Sequence, residues 1–219
     1  MGVPLSTPIA TPGYAGQVAL LAGARCLDFA NTVEPRVPLR HGAQPRDYLT
    51  TYADLLAWAT HAEILTVAGA AQLGQLAAAN PDAATATLHE AIGLREAIYR
   101  VFLAVAQRQS PDHADLACLA NAYALALAHT TLIARGATFE LSWVDDPDAL
   151  DRPLWPLAHA AVELLTRGDA ARVKECPAAE EGCGWLFYDT SKNHSRRWCS
   201  MSDCGTAAKE RRRAARAER

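Results

Sequence analysis

The chain has 219 residues, half of them hydrophobic, with 21 Lys and Arg against 24 Asp and Glu for a formal net charge of −3. That length accommodates one main domain plus a small appendage, and a mean hydropathy of −0.05 with a pI near 6.2 describes an ordinary soluble globular protein rather than a histone-like polycation. The apolar runs are interrupted by His, Glu or Asp, and the start lacks a basic n-region, so a cytoplasmic setting without membrane partners is expected.

Residues 1–17 are rich in Pro, Gly, Thr and Ala without periodicity and are expected to be a disordered lead-in. Residues 18–170 are expected to form a mainly helical domain. Its first stretch, 18–29, is apolar around Gly23-Ala24-Arg25, with room for one or two short strands before a helical turn at 28–33. A loop over 36–47 follows, carrying Arg36, Arg40, His41 and Arg46. The spacing of Leu49, Tyr52, Leu55, Leu56 and Ala59 predicts a helix over 47–59. Another spans 66–79, capped by Thr66 and stopped at Asn80-Pro81. The longest, 82–109, puts Leu88, Ile92, Ile98, Tyr99 and Phe102 on its inner face. Ser110-Pro111 starts a fourth, running to about 130.

The period then switches. Residues 131–135 and 138–143 read as a β-hairpin around Gly136, with Phe139, Leu141 and Trp143 sharing a face. A turn at 145–147, a helix from 153 or 154 to 166 and a hinge at Gly168-Asp169 lead into the last segment, 171–219. The fold class expected is mainly α with a small β-hairpin (α+β). Scattered His61, His89, His113, His129 and His159 lack the pairing of a catalytic metal site, and no nucleophile or phosphate-loop motif occurs, so no enzyme activity is expected.

Four of six cysteines lie in the last segment, Cys176 and Cys183 spaced C-x6-C, Cys199 and Cys204 spaced C-x4-C. In a reducing compartment such clustering points to metal rather than disulfides. The segment is too short and charged to build a core alone, and one structural Zn2+ held by four thiolates would supply on the order of 10 kcal/mol of folding energy. A closed four-thiolate shell leaves no catalytic position; iron is the chemical rival. His194 is a lesser candidate ligand. Residues 184–189 read as a short strand, 190–195 as a turn, and 206–216 as a helix, a treble-clef-like plan. From residue 172 onward there are eleven Lys and Arg against seven Asp and Glu, and before it ten against seventeen. Lys209, Arg212, Arg213 and Arg216 fall within about a third of the last helix's circumference. This stripe suits phosphates, with Lys192, Arg196 and Arg197 adding donors nearby; the alternative is that the charges only complement the helix dipole.

The run Cys183-Gly184-Trp185-Leu186-Phe187-Tyr188-Asp189-Thr190-Ser191, with Ser195-Arg196-Arg197-Trp198-Cys199-Ser200-Met201 and Cys204-Gly205, resembles the CGNR zinc-finger family of bacterial proteins. Arg25-Cys26-Leu27-Asp28-Phe29-Ala30-Asn31-Thr32-Val33 resembles the start of the helical ABATE domain that precedes the finger there. The name-giving Asn-Arg pair is replaced by Thr206-Ala207. The resemblance implies a DNA-binding transcription regulator, its finger on duplex DNA and its helical domain sensing a small ligand or forming a homodimer. Arg95 lies on the inner face of its helix and must be paired, with Asp28 or Asp54 the expected partner; alternatively Arg95, Asp28 and Asn31 floor a pocket for a small anionic effector. Rival readings are a zinc-stapled protein-interaction module and an RNA-binding protein.

Overall fold

The computed structural model describes residues 14–36, 45–178 and 183–217. Most of the expected lead-in and the loop residues Arg40 and His41 lie outside them. In chain order the elements are α1 (Arg25–Ala30), β1 (Val33–Glu34), β2 (Arg46–Asp47), α2 (Tyr52–His61), α3 (Val67–Ala79), α4 (Pro81–Ala106) and α5 (His113–Ala128). They continue with β3 (Thr130–Arg135), β4 (Thr138–Trp143), α6 (Leu154–Arg167), β5 (Val173–Glu175), β6 (Leu186–Tyr188) and α7 (Thr206–Ala217). Among the described residues the strands form three antiparallel pairs, β1 with β2, β3 with β4 and β5 with β6. No helix among the described residues is long and apolar enough to cross a membrane.

Local chemistry sets the boundaries. α2 begins at Tyr52, later than its apolar spacing predicts, because Arg46 and Asp47 pair with Glu34 and Val33 and Thr51 and Asp54 form a capping box. Thr66 caps α3 as expected, its side chain accepting from Gly69 N. α5 is capped by Asp112, not Ser110, because the Asp112 carboxylate reaches Ala114 N at 2.7 Å. Residues 18–29 contain no strand. Instead the N–H of Ala22 donates to Asp28 at 2.8 Å, while its carbonyl accepts from Tyr188 N at 2.7 Å. Gly23 takes φ +73°, and a Cβ there would lie 2.8 Å from the Tyr188 carbonyl oxygen. Tyr14–Gln17, expected to be disordered, is a 3-10 turn packed on α2.

α4 is the central strut, touched by α1, α2, α3, α5, α6 and the β5–β6 hairpin. Around it Phe29, Trp58, Ile98, Phe102, Trp155 and Leu157 are at most 1% exposed, each contributing roughly 1.5–3 kcal/mol of burial. Phe29 and Trp58 meet with ring centroids 5.2 Å apart. The β3–β4 hairpin forms in the expected register around Gly136, but of its shared apolar face only Trp143 is partly covered, against Trp155 and His159. Phe139 and Leu141 remain 73% and 63% exposed.

The expected hinge is a fixed corner. Gly168 ends α6 where a Cβ would collide with the Leu164 carbonyl oxygen at 2.4 Å, and Asp169 caps the 3-10 turn Ala170–Arg172. Beyond it, β5 and β6 lie against α1 and α4, so Val173, Cys176, Leu186 and Phe187 belong to the same apolar cluster as the helices.

Candidate metal centre and basic helix

Cys176 follows β5 and Cys183 precedes β6, so the hairpin's own connection brings this pair together; residues 179–182 of that connection lie outside the described ones. The turn is closed by Cys176 N donating to Trp185 O at 2.8 Å and Cys183 N donating to Ala178 O at 3.1 Å. Cys199 and Cys204 arrive on the approach to α7, where Met201–Gly205 forms a π-turn capped by the Ser200 side chain. Gly205 is buried there, a Cβ on it reaching Met201 Sδ at 3.0 Å and Trp198 Cδ1 at 3.3 Å.

The four sulfurs lie within 4.8 Å of one another, with Cys183 to Cys199 at 3.5 Å and Cys199 to Cys204 at 3.6 Å. A tetrahedral zinc with ~2.3 Å bonds requires sulfurs ~3.8 Å apart, a spacing that these separations bracket within about 1 Å. Thiols this close cannot ionise independently. Hydrogen bonds from Cys183 and Cys199 push the Cys176 thiol down, and the Cys176 thiolate so favoured pushes Cys183 and Cys199 up. A dication removes the mutual repulsion of four thiolates. The cluster is the site of one structural Zn2+, and His194 stands outside it.

Asp189, which sequence reading passed over, holds the loop between the cysteine pairs. It is fully buried. Its carboxylate accepts from Lys174 Nζ at 2.6 Å, Ser191 N and Oγ at 2.9 and 2.6 Å and Arg196 N at 3.0 Å. Burial favours the neutral acid, yet Lys174 and Ser191 outweigh it and hold the carboxyl well below the usual range. Lys174 also donates to the carbonyls of His194 and Arg196 at 2.8 and 3.0 Å. The signal available in the sequence was a carboxylate within a run otherwise bulky and apolar, a placement that demands partners.

The expected phosphate contacts divide. Lys192 and Arg197 are exposed on this loop. Arg196 is turned inward, its guanidinium over the Phe187 ring and donating to the carbonyls of Trp198, Leu21 and Cys199. Lys209, Arg212, Arg213 and Arg216 are all exposed on α7, whose only buried residue is Ala208. Among the described residues none of these four has an acidic partner.

The expected effector residues are occupied internally. Arg95 pairs with neither Asp28 nor Asp54. Asp47 takes it bidentately at 2.6 and 2.7 Å, because the β1–β2 pairing brings that carboxylate over α4, and Glu96 accepts from its Nε at 2.9 Å. Asp54 serves the α2 cap. Asp28 holds the Ala22 N–H, and burial pushes its carboxyl up to about 6. Asn31 acts as a peptide mimic: its Oδ1 accepts from Leu186 N at 3.0 Å and its Nδ2 donates to Leu186 O at 2.8 Å. Tyr99 OH to Gly184 O at 2.9 Å and Trp185 Nε1 to Val33 O at 3.1 Å dock the residues just before β6 on α4 and β1.

Comparison with known families agrees with this two-part arrangement. The model of the ABATE family, described as "putative stress-induced transcription regulator", matches residues 23–168. That of the CGNR zinc finger matches residues 172–217. No curated protein shows a significant match to the chain.

Proposed function

Since the chain belongs to the ABATE family and continues into a CGNR zinc finger, we propose that it is a transcription regulator that holds duplex DNA through α7. The observation that carries this reading is the set of four exposed cations, without acidic partners among the described residues, on one face of a helix rooted at the zinc site. The helix dipole is complemented only by cations in the last turn; four in line along the helix form a surface able to neutralise several phosphates. Lys192 and Arg197 extend the positive surface, and Arg196 supports it from inside. Thr206 stands where relatives have Asn and is used locally, its hydroxyl donating to Met201 O at 3.1 Å, and Ala207 supplies no charge. Sequence-selective contacts from those two positions are therefore absent from the proposal, and phosphates dominate it. The helical part is the sensing part.

Fluorescence anisotropy with labelled duplex across a salt series tests this. The slope of log K against log salt should fall by roughly 0.9 for each phosphate contact removed, hence by about 3 to 4 when Lys209, Arg212, Arg213 and Arg216 are all replaced by Ala. Unchanged duplex affinity at low salt would end the reading and leave the basic face to an acidic protein partner. Stronger competition by single-stranded RNA would transfer the assignment to RNA.

A further inference from the structure

Between α4, α5 and α6 lies a cavity of about 360 Å³, within the range of small-molecule sites. Its walls are almost wholly apolar, Trp155 and Leu125 among them, and the half-buried Cys118 thiol faces it. The charged side chains lining it are both acidic, Glu90 and Asp151. Asp151 accepts from Trp155 Nε1 at 2.9 Å, while Glu90 stands exposed at the rim, with no hydrogen-bond or ion-pair partner among the described residues. The wall on the α4 side is opened by Gly93, in the middle of a 26-residue helix. Glycine is poorly suited to a helix interior, and packing does not require it here, because a Cβ at Gly93 would meet nothing within 4 Å. Gly93 is exposed at the mouth of this open groove, so a side chain there would reach into the space in front of its apolar floor.

We propose that this groove binds a small apolar cation, an aromatic or aliphatic amine whose hydrocarbon body lies against Ala122 and Leu125, above the buried Trp155, and whose ammonium group meets Glu90 and Asp151. Anions are disfavoured by both carboxylates, so the site differs in place and in charge from the effector pocket expected around Arg95. The proposal deepens the reading of the helical part as the sensing part. The α4 helix that walls the cavity also reaches the finger through the Tyr99 to Gly184 hydrogen bond.

The test uses the full zinc-loaded chain without DNA, so its outcome is independent of nucleic-acid binding. Phenethylamine, its neutral isostere 2-phenylethanol and the anion phenylacetate are compared by thermal shift and by protection of Cys118 from N-ethylmaleimide, read by peptide mass spectrometry. Phenethylamine is expected to raise Tm in a concentration-dependent way and to shield Cys118, and phenylacetate to do neither. Gly93→Leu fills the cavity on a more helix-compatible residue and should abolish both effects. Glu90→Gln with Asp151→Asn should weaken the amine by about fivefold or more while leaving the alcohol unchanged. No response to phenethylamine, an equal response to phenylacetate, or an undiminished response in Gly93→Leu would each overturn the proposal.

Discussion

Asp28 shows how one side chain can serve the fold at a cost. Its carboxylate fixes the Ala22 turn on which Tyr188 rests, but burial raises its pKa from 3.8 to about 6, so the folded chain holds the proton more tightly than the unfolded one. The stabilisation from that proton is complete below about pH 4 and is lost as pH rises through 6, amounting to about 3 kcal/mol. Asp28→Asn keeps an acceptor for Ala22 N and should therefore match or exceed wild-type stability at pH 7. The advantage should vanish toward pH 4, and urea denaturation of both proteins at pH 4.5, 5.5 and 7 reads the difference. Asp189 has the opposite sign: its contribution is complete above the ordinary carboxylate pKa and drains away only as pH falls below it, outside that window. A constant offset between Asp28→Asn and wild type at all three pH values would refute the assignment of this titration to Asp28.

At the scale of elements, α7 depends on what lies before it. From Lys209 to its end every residue is exposed, and a helix of 12 residues without packing is marginal in water. Its order must be nucleated by the π-turn at Cys204, hence by the metal. Chelation under reducing conditions is expected to remove helical circular dichroism equivalent to about these 12 residues, while the main unfolding transition persists because β5 and β6 stay docked through Asn31, Tyr99 and Trp185. An unchanged spectrum after the zinc has been stripped would show that α7 holds its own shape. Sequence made this element legible, along with the ligand set and helices α3 to α6, because periodicity and cysteine spacing are local signals. It missed β1, β2 and β5, whose two or three residues carry no period and exist only through their partners. Those misses propagated to the Arg95 environment, since nothing in the linear order of residues announces that Asp47 would lie over α4. The docking of β6 by the Asn31 side chain was illegible for the same reason, being a bond across 155 positions.

For the molecule as a whole, the consequence is that the finger and the helices have one core, although families describe them as two modules. Trp185, Leu186 and Phe187 are at most 7% exposed, and at roughly 1.5–3 kcal/mol each their burial is worth on the order of 5–9 kcal/mol. That is comparable to the entire stability of an ordinary domain, about 5–15 kcal/mol. Zinc removal leaves this surface covered; deletion of the finger does not. A chain ended at Asp169 would expose the faces of α1 and α4 that β6 covers and leave the buried Asn31 amide without the Leu186 backbone. Such a fragment is therefore expected to bind a hydrophobic dye and to lose the cooperative thermal transition that the zinc-stripped full chain retains. A sharp transition within a few degrees of the full chain would mean that the helices bury enough by themselves, and that the hairpin is a passenger on a surface complete without it.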